Sequence, residues 1–332
     1  MKRKALKFLI KFLVVNSVIY LVVAFALTHW PIPKIENTKN YDFSSVRESA
    51  RNEVSAKEVW IKLRDGKEIF SRVYDGKTKN VLIFLHGSGS DSRYLSKASK
   101  HFADLNMFTV ITPDLRGHGR NSGTRGDIDH IGQLEEDIED IVRYAKENLH
   151  AEKIILTGHS SGGGLALRYL GNYKHTKVNG SIMFSPYLGY KSPTLRPGNG
   201  NWVTVSVKRF VGLSMLNKIG INSFNGQPVL FFNRASEWND SLQVASYSYR
   251  MAMSMDPKDF RADIENIYAP TIVLVGGDDE SFYPDKFAEV FSTSDYTETH
   301  VIKGIAHMAV IDNSESLSKI RAWLGSLNQK IN

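Results

Sequence analysis

The chain has 332 residues, 42% of them hydrophobic and 23% charged, which is typical of a globular protein large enough for an extensive core. It contains no cysteine, which excludes disulfides, thiolate metal sites and a cysteine nucleophile. Five of the 42 basic residues lie before residue 12, so the remaining chain has 37 basic and 35 acidic residues, and its net charge of +2 gives no argument for a nucleic-acid-binding protein.

The first predicted element is a membrane-spanning helix within residues 1–28. Residues 1–7 are basic, and residues 8–27 are apolar apart from three polar positions. Twenty helical residues span about 30 Å, the thickness of the hydrocarbon core of a bilayer. Because the basic cluster precedes the span, we expect a single-pass protein of the cytoplasmic membrane, with its N-terminus inside and the rest of the chain exported to the periplasmic or extracellular side. A signal peptide cleaved near Ala24–Ala26 is the alternative, and the length of the apolar run favours the uncleaved anchor.

After the anchor, residues 29–56 are polar and are predicted to form a linker. Alternating polar and apolar residues around Asp65-Gly66 then indicate a β-hairpin. From there to residue 186, apolar strands alternate with amphipathic helices, and the strands begin near Asn80, Phe108, Lys153 and Val178. This alternation predicts a parallel sheet covered by helices on both faces.

The alternation stops over residues 187–268, which are rich in aromatic residues and methionine, and it resumes over residues 269–332. We therefore predict a core made of residues 57–186 and 269–332, interrupted by an insertion. Within or next to the insertion, several side chains are candidates for lining an apolar pocket: Tyr187, Tyr190, Trp202, Phe210, Phe224, Phe231, Phe232, Trp238, Met251, Met253 and Met255.

A nucleophile motif follows the strand that begins at Lys153. Residues 158–162 read Gly-His-Ser-Ser-Gly, which is the G-x-S-x-G pattern between a strand and a helix. In that context the central serine lies on a sharp turn with its hydroxyl exposed. The glycines let the strand and the helix approach closely. We predict Ser160 as the nucleophile.

A serine hydroxyl needs a base to take its proton and a carboxylate to orient that base. The chain supplies both in the required order, after later strands. His307 is predicted as the base, because it follows a strand whereas His300 lies within one. The acidic turn after the strand from Thr271 contains the carboxylate: Asp279 is the first choice, Asp278 the alternative and Glu280 the third.

The oxyanion hole requires backbone N–H donors near the nucleophile. One predicted donor is the N–H of Ser161, the residue after the nucleophile. The other is the N–H of Ser88, in the glycine-rich loop that follows the strand from Asn80.

Together these motifs resemble the α/β-hydrolase superfamily, and within it the branch of lysophospholipases and monoacylglycerol lipases. The resemblance extends from about residue 81 to residue 327 and rests on His86-Gly-Ser-Gly89, Pro113-Asp-Leu-Arg-Gly-His-Gly119, Gly158-His-Ser-Ser-Gly-Gly163, the acidic turn and Gly304-Ile-Ala-His307. It implies the α/β-hydrolase fold: a mostly parallel, eight-stranded-type sheet with helices on both faces and a cap formed by residues 187–268. It also implies that Arg116 and His118 shape a tight loop and take no part in the chemistry.

The same resemblance implies a serine hydrolase that cleaves lipid-like or short acyl esters through an acyl-serine intermediate, and the predicted N-terminal helix makes this a membrane-anchored enzyme. No metal and no organic cofactor are implied, and the expected partners are a small-molecule or lipid ester and the membrane, with no nucleic acid. No sequence feature indicates an oligomeric state. Three alternatives keep the fold: a peptidase or amidase, a thioesterase, and a non-catalytic binding module.

Overall fold

The computed structural model describes residues 2–35, 54–172, 174–197, 201–233 and 240–330. Most of the predicted linker lies outside these residues, and so does Trp238 of the predicted pocket lining.

An eight-stranded sheet forms the core of the fold. The strands of the described chain are β1 (Lys57–Lys62), β2 (Glu68–Tyr74), β3 (Asn80–Leu85), β4 (Thr109–Pro113), β5 (Lys153–His159), β6 (Gly180–Phe184), β7 (Val203–Val205), β8 (Pro228–Phe232), β9 (Ser246–Ser248), β10 (Thr271–Gly276) and β11 (Thr297–Ile302). The core sheet has the order β1-β2-β4-β3-β5-β6-β10-β11. The six strands from β4 to β11 in this order are parallel, and the β1–β2 hairpin joins their edge antiparallel. The predicted fold class is confirmed.

Helices connect and cover these strands. They are α1 (Lys2–Thr28), α2 (Ser96–Asp104), α3 (Gln133–Asn148), α4 (Ser161–Leu170), α5 (Val207–Lys218), α6 (Tyr249–Met255), α7 (Phe260–Glu265), α8 (Asp285–Phe291) and α9 (Ser314–Lys330). The central strands are buried along their whole length, as expected for a parallel sheet with both faces covered. Helix α3 buries its apolar stripe, which includes Leu134, Ile138 and Ile141.

The carboxyl ends of β5, β10 and β11 meet at one edge of the sheet, because the three strands are parallel. Loops at that edge are where ligands bind in open α/β sheets. Residues 160, 279 and 307 all lie in these loops.

The segment between β6 and β10 contains a second sheet, in which β7, β8 and β9 pair antiparallel. Sequence periodicity missed these strands, since β7 and β9 have three residues each. We call this segment, residues 187–268, the inserted segment; its role as a cap remains a prediction.

Helix α1 packs against α5 of the inserted segment. At Gly212 of α5 a Cβ atom would lie 2.4 Å from the backbone nitrogen of Thr28 and 2.8 Å from the carbonyl oxygen of Ala24, so the two backbones are in close contact. Tyr20 Oη donates a hydrogen bond to the carbonyl of Met215 (2.8 Å). Among the described residues, α1 is the helix long and apolar enough to cross a membrane.

Candidate active site

Ser160 occupies a strained turn between β5 and α4. Its backbone has φ 55° and ψ −121°, a left-handed region that non-glycine residues rarely adopt. A Cβ atom at Gly158 would lie 2.1 Å from the carbonyl oxygen of Gly162, and one at Gly162 would lie 2.5 Å from that of Leu85. Strand and helix can therefore hold this turn only with glycines at these two positions. The geometry is that of a nucleophile elbow.

His307 and Asp279 form a buried pair. His307 Nδ1 lies 2.8 Å from Asp279 Oδ2, and the other carboxylate oxygen accepts the N–H groups of Ser281 (2.9 Å) and Phe282 (3.0 Å). Burial lowers the pKa of His307, but the charge and hydrogen bond of Asp279 outweigh it and raise that pKa above 6.5. Burial raises the pKa of Asp279, but the charge and hydrogen bond of His307 outweigh it and hold that pKa below its usual value. The pair is arranged as a base and the carboxylate that orients it.

The neighbouring carboxylates are placed differently. Asp278, the alternative acid, is exposed to solvent, while Asp279 is buried. Glu280 Oε2 accepts the backbone N–H of His307 (2.8 Å), so it contacts the main chain of His307, whereas Asp279 contacts the imidazole ring. His300 lies in β11, as expected.

Ser160 and His307 border one small cavity together with Ser88 and His159. With Nδ1 of His307 engaged by Asp279, its Nε2 is the nitrogen that remains for the serine. No hydrogen bond joins these two described side chains; the contact between a nucleophile and its base often forms only in the substrate complex.

The predicted oxyanion donors also lie at this edge. Ser161 is the first residue of α4, so its N–H has no acceptor within the helix. Ser88 borders the cavity, and a Cβ atom at the preceding Gly87 would lie 3.4 Å from Ser160 Cβ. The loop of Ser88 is thus directly beside the nucleophile.

A larger cavity of about 210 Å³ opens at Ser160 and is walled mainly by the inserted segment. Its lining is apolar except for a few hydroxyls and one carboxylate, Asp256. Four of the side chains predicted to line a pocket border this cavity: Tyr187, Tyr190, Phe232 and Met255. The other apolar and aromatic side chains of its wall are Leu195, Val203, Val205, Leu230, Tyr247 and Phe282.

Sequence reasoning missed several polar residues around the site. His159, Tyr94 and Tyr247 are buried beside the Ser88 loop, and Asp256 reaches the cavity. His159 is adjacent to the nucleophile in the motif, but no pattern connects it with the two tyrosines. Arg116 forms a buried ion pair with Asp137 (2.7 Å), as fits a loop-shaping residue. Within the described ranges, no group of three His, Asp or Glu side chains could hold a metal ion.

The fold and the geometry at its sheet edge define an α/β-hydrolase. A family model described as "Serine aminopeptidase, S33" matches residues 76–314, which is more than half of the chain, and the protein belongs to this family. The predicted superfamily is confirmed, and the chain belongs to the esterase- and lipase-like family of α/β-hydrolases.

Two curated relatives illustrate the range of the family. The bifunctional esterase/perhydrolase DCH of Acinetobacter calcoaceticus is 25% identical over 238 residues, which cover 67% of this chain and 82% of DCH. YnbC of Escherichia coli K12, described as uncharacterized, is 23% identical over 263 residues. That match covers 75% of this chain but 43% of YnbC, so the chain spans less than half of that relative.

Two solved structures share the fold. A bacterial membrane phospholipase A superposes with a TM-score of 0.56 at 18% identity, and the match covers 99% of both chains. The monoacylglycerol lipase of Paleococcus ferrophilus superposes with a TM-score of 0.58 at 23% identity, covering 78% of this chain and 98% of the lipase.

Proposed function

We propose that the protein hydrolyses carboxylic esters through an acyl-serine intermediate. Ser160 is the nucleophile, His307 the general base and Asp279 the carboxylate that orients it. The observation that carries this proposal is the hydrogen bond between Asp279 and His307 (2.8 Å), at the same sheet edge as the strained turn of Ser160.

The reaction follows from the placement of these groups. Ser160 Oγ attacks the ester carbonyl while His307 Nε2 takes the hydroxyl proton, and the Ser88 and Ser161 N–H groups stabilise the oxyanion. The tetrahedral intermediate then collapses: the bond to the alcohol breaks, and the alcohol leaves with the proton from His307. A water molecule, deprotonated by the same imidazole, then attacks the acyl-serine; the bond from the acyl carbon to Ser160 Oγ breaks, His307 returns the proton to Oγ, and the carboxylic acid leaves.

The lining of the cavity supports an apolar acyl group as the part of the substrate bound there. Aliphatic and aromatic side chains surround the space next to Ser160, and each buried CH₂ of an acyl chain contributes about 0.8 kcal/mol. Similarity to a monoacylglycerol lipase and to an esterase supports the same class, that is, lipid-like or short acyl esters.

The N-terminal helix supports a membrane-anchored enzyme. The match to the membrane phospholipase A covers 99% of this chain and therefore includes most of α1. Because α1 packs closely against Gly212, its removal as a signal peptide would uncover a surface shaped to receive it. We therefore propose that α1 is a retained anchor, with the N-terminus in the cytoplasm and the hydrolase on the outer side.

Replacing Ser160 tests the proposal. Ser160→Ala is expected to lose about 10⁴- to 10⁶-fold in kcat on p-nitrophenyl esters and all labelling by a fluorophosphonate probe. Ser292→Ala, at an exposed serine, serves as the control and should match wild type. Labelling of Ser160→Ala at the wild-type rate would contradict the proposal. A panel of lysophospholipids, monoacylglycerols and short esters then ranks the substrates.

A second candidate function is hydrolysis of an aminoacyl amide. Asp256 borders the cavity, where a carboxylate would pair with a substrate amine, and burial raises its pKa to about 7. Aminoacyl p-nitroanilides compared with p-nitrophenyl esters separate the two functions. The ester proposal expects hydrolysis of the esters alone, with little change in Asp256→Asn; cleavage of the anilides that is lost in Asp256→Asn would favour the amide.

A further inference from the structure

The loop His86–Gly89, which we call the oxyanion loop, is fixed on one side by Tyr94. The Gly87 N–H donates to Tyr94 Oη (2.7 Å), and Tyr94 Oη lies 3.0 Å from His159 Nδ1. His159 Nε2 lies 3.1 Å from the carbonyl oxygen of His307, which can only accept, so Nε2 carries the proton. Since burial lowers the pKa of His159 to about 3, its ring is neutral, and Nδ1 accepts the hydroxyl proton of Tyr94.

Tyr247 fixes the other side of the loop in the same way. The Gly89 N–H donates to Tyr247 Oη (2.9 Å), which lies 2.6 Å from His118 Nε2. His118 Nδ1 donates to the carbonyl of Arg116 (3.0 Å), and burial lowers the pKa of His118 to about 3. The neutral ring therefore accepts the Tyr247 hydroxyl proton at Nε2.

The backbone N–H and carbonyl groups of Gly87 and Gly89, the two residues that flank Ser88, are thus occupied. In addition to the two N–H groups, the Gly87 carbonyl lies 2.8 Å from His86 Nδ1, and the Gly89 carbonyl accepts the N–H of Val244 (3.0 Å). In the part of the chain that the structure describes, the Ser88 N–H has no hydrogen-bond partner.

We propose that Tyr94 and Tyr247 are positioning residues that hold the oxyanion loop so that, of the N–H groups of Gly87, Ser88 and Gly89, only that of Ser88 points at the reacting carbonyl oxygen. This inference rests on the proposed ester hydrolysis. The two tyrosines are contributed by different parts of the fold: Tyr94 follows the loop within the core, and Tyr247 belongs to β9 of the inserted segment. The inserted segment therefore helps to form the oxyanion hole in addition to walling the substrate cavity.

Removing either hydroxyl tests the proposal. Tyr94→Phe and Tyr247→Phe each leave a glycine N–H and a histidine nitrogen without a partner, so the loop can turn its N–H groups away. We expect kcat on a p-nitrophenyl ester to fall by about 10- to 100-fold, less than the 10²- to 10³-fold that loss of a donor itself costs, with KM changed by less than about threefold. Affinity for an alkyl boronic acid, whose tetrahedral adduct with Ser160 places an oxygen in the hole, should fall with kcat.

Tyr169→Phe is the matched control. Tyr169 is fully buried, and its hydroxyl donates to the carbonyl of Thr176 (2.9 Å), away from the oxyanion loop. This variant should lose thermal stability and keep the wild-type kcat and boronate affinity. A tyrosine variant that folds and keeps both wild-type values would overturn the positioning role. If wild type itself neither hydrolyses esters nor reacts with a fluorophosphonate, the proposed function fails instead.

A measurement on the wild-type protein covers the case in which the variants do not fold. The ¹⁵N chemical shifts of the imidazole rings at pH 7 should show His159 as the Nε2–H tautomer and His118 as the Nδ1–H tautomer. The reverse tautomers, or charged rings, would mean that Tyr94 and Tyr247 do not donate hydrogen bonds to these histidines. That result would refute the proposed positioning role.

Discussion

The core and the inserted segment contribute to the same cavity in different ways. The core holds Ser160, Asp279 and His307 in loops after three parallel strands, so their placement follows from strand register. The inserted segment has short antiparallel strands and lines the cavity with apolar side chains. Under the proposed function, the bond-breaking groups therefore come from loops of the core sheet, and most of the groups that would meet an acyl chain come from the inserted segment.

This division predicts two kinds of variant. Changes in the core should reduce turnover of every ester by a similar factor, because they act on the reacting atoms. Changes in the cavity wall should discriminate between substrates, because they act on parts of the substrate that do not react.

The largest change in kcat should distinguish two adjacent carboxylates, Asp279 and Asp278. Asp279→Asn removes the negative charge that orients and stabilises the imidazolium of His307, and we expect kcat to fall about 10⁴-fold on short and long esters alike. Asp278→Asn, at the exposed neighbour, is the control and should stay within about threefold of wild type. A large loss in Asp278→Asn would reassign the acid. Steady-state kinetics on acetyl and dodecanoyl esters measure the change in kcat of each variant on a short and on a long substrate.

A smaller and selective effect is expected at the wall of the cavity. Leu230 of β8 borders the cavity, and Leu230→Trp would fill part of it. We expect kcat/KM for a long acyl ester to fall by about 10- to 100-fold, the range for misfit in an apolar pocket, while an acetyl ester is little affected. Leu105→Trp, at a half-exposed site away from the cavity, controls for the bulk of the indole. An equal loss on both esters would contradict the division between core and insertion.

The pH dependence gives the next test of the core. His307 must be neutral to act as base, so kcat/KM should rise with pH through a pKa above 6.5, as the folded protein loses the proton that Asp279 favours. In Asp279→Asn that limb of the profile should move to lower pH, whereas in Asp278→Asn it should not move. A profile that Asp279→Asn leaves in place would show that another group sets it.

The smallest effect should appear where α1 meets the inserted segment. Gly212→Leu inserts a side chain into the contact with Ala24 and Thr28, and overpacking of this kind costs about 1–3 kcal/mol. We expect Tm in detergent to fall by several degrees, with little change in kcat on a short ester. Gly325→Leu in α9, where a new Cβ meets nothing within 4 Å, should leave Tm unchanged or raise it. Equal Tm values for the two variants would argue against the close contact.

Much of the core could be predicted from the sequence, because buried parallel strands and the G-x-S-x-G turn have local signatures. The predicted strands near Asn80, Phe108 and Lys153 correspond to β3, β4 and β5 within a residue or two. Spacing alone does not separate Asp278 from Asp279, because both follow β10 in the same turn, and tertiary contacts decide which one is buried.

The inserted segment was far less predictable. Strands of three residues carry no period, and antiparallel pairing of β8 with its neighbours depends on residues far apart in the chain. Tyr94 and Tyr247 contact the same loop although 152 residues lie between them. Neither belongs to a motif, so only the folded structure connects them with Ser88.

The backbone angles of Ser160 limit which nucleophiles this scaffold can use. With φ at 55° and ψ at −121°, a side chain branched at Cβ is sterically excluded, so threonine could not replace serine even though it offers the same hydroxyl. Cysteine, which is unbranched, meets no such barrier. The shape of the turn therefore favours an unbranched side chain, serine or cysteine, at this position over threonine.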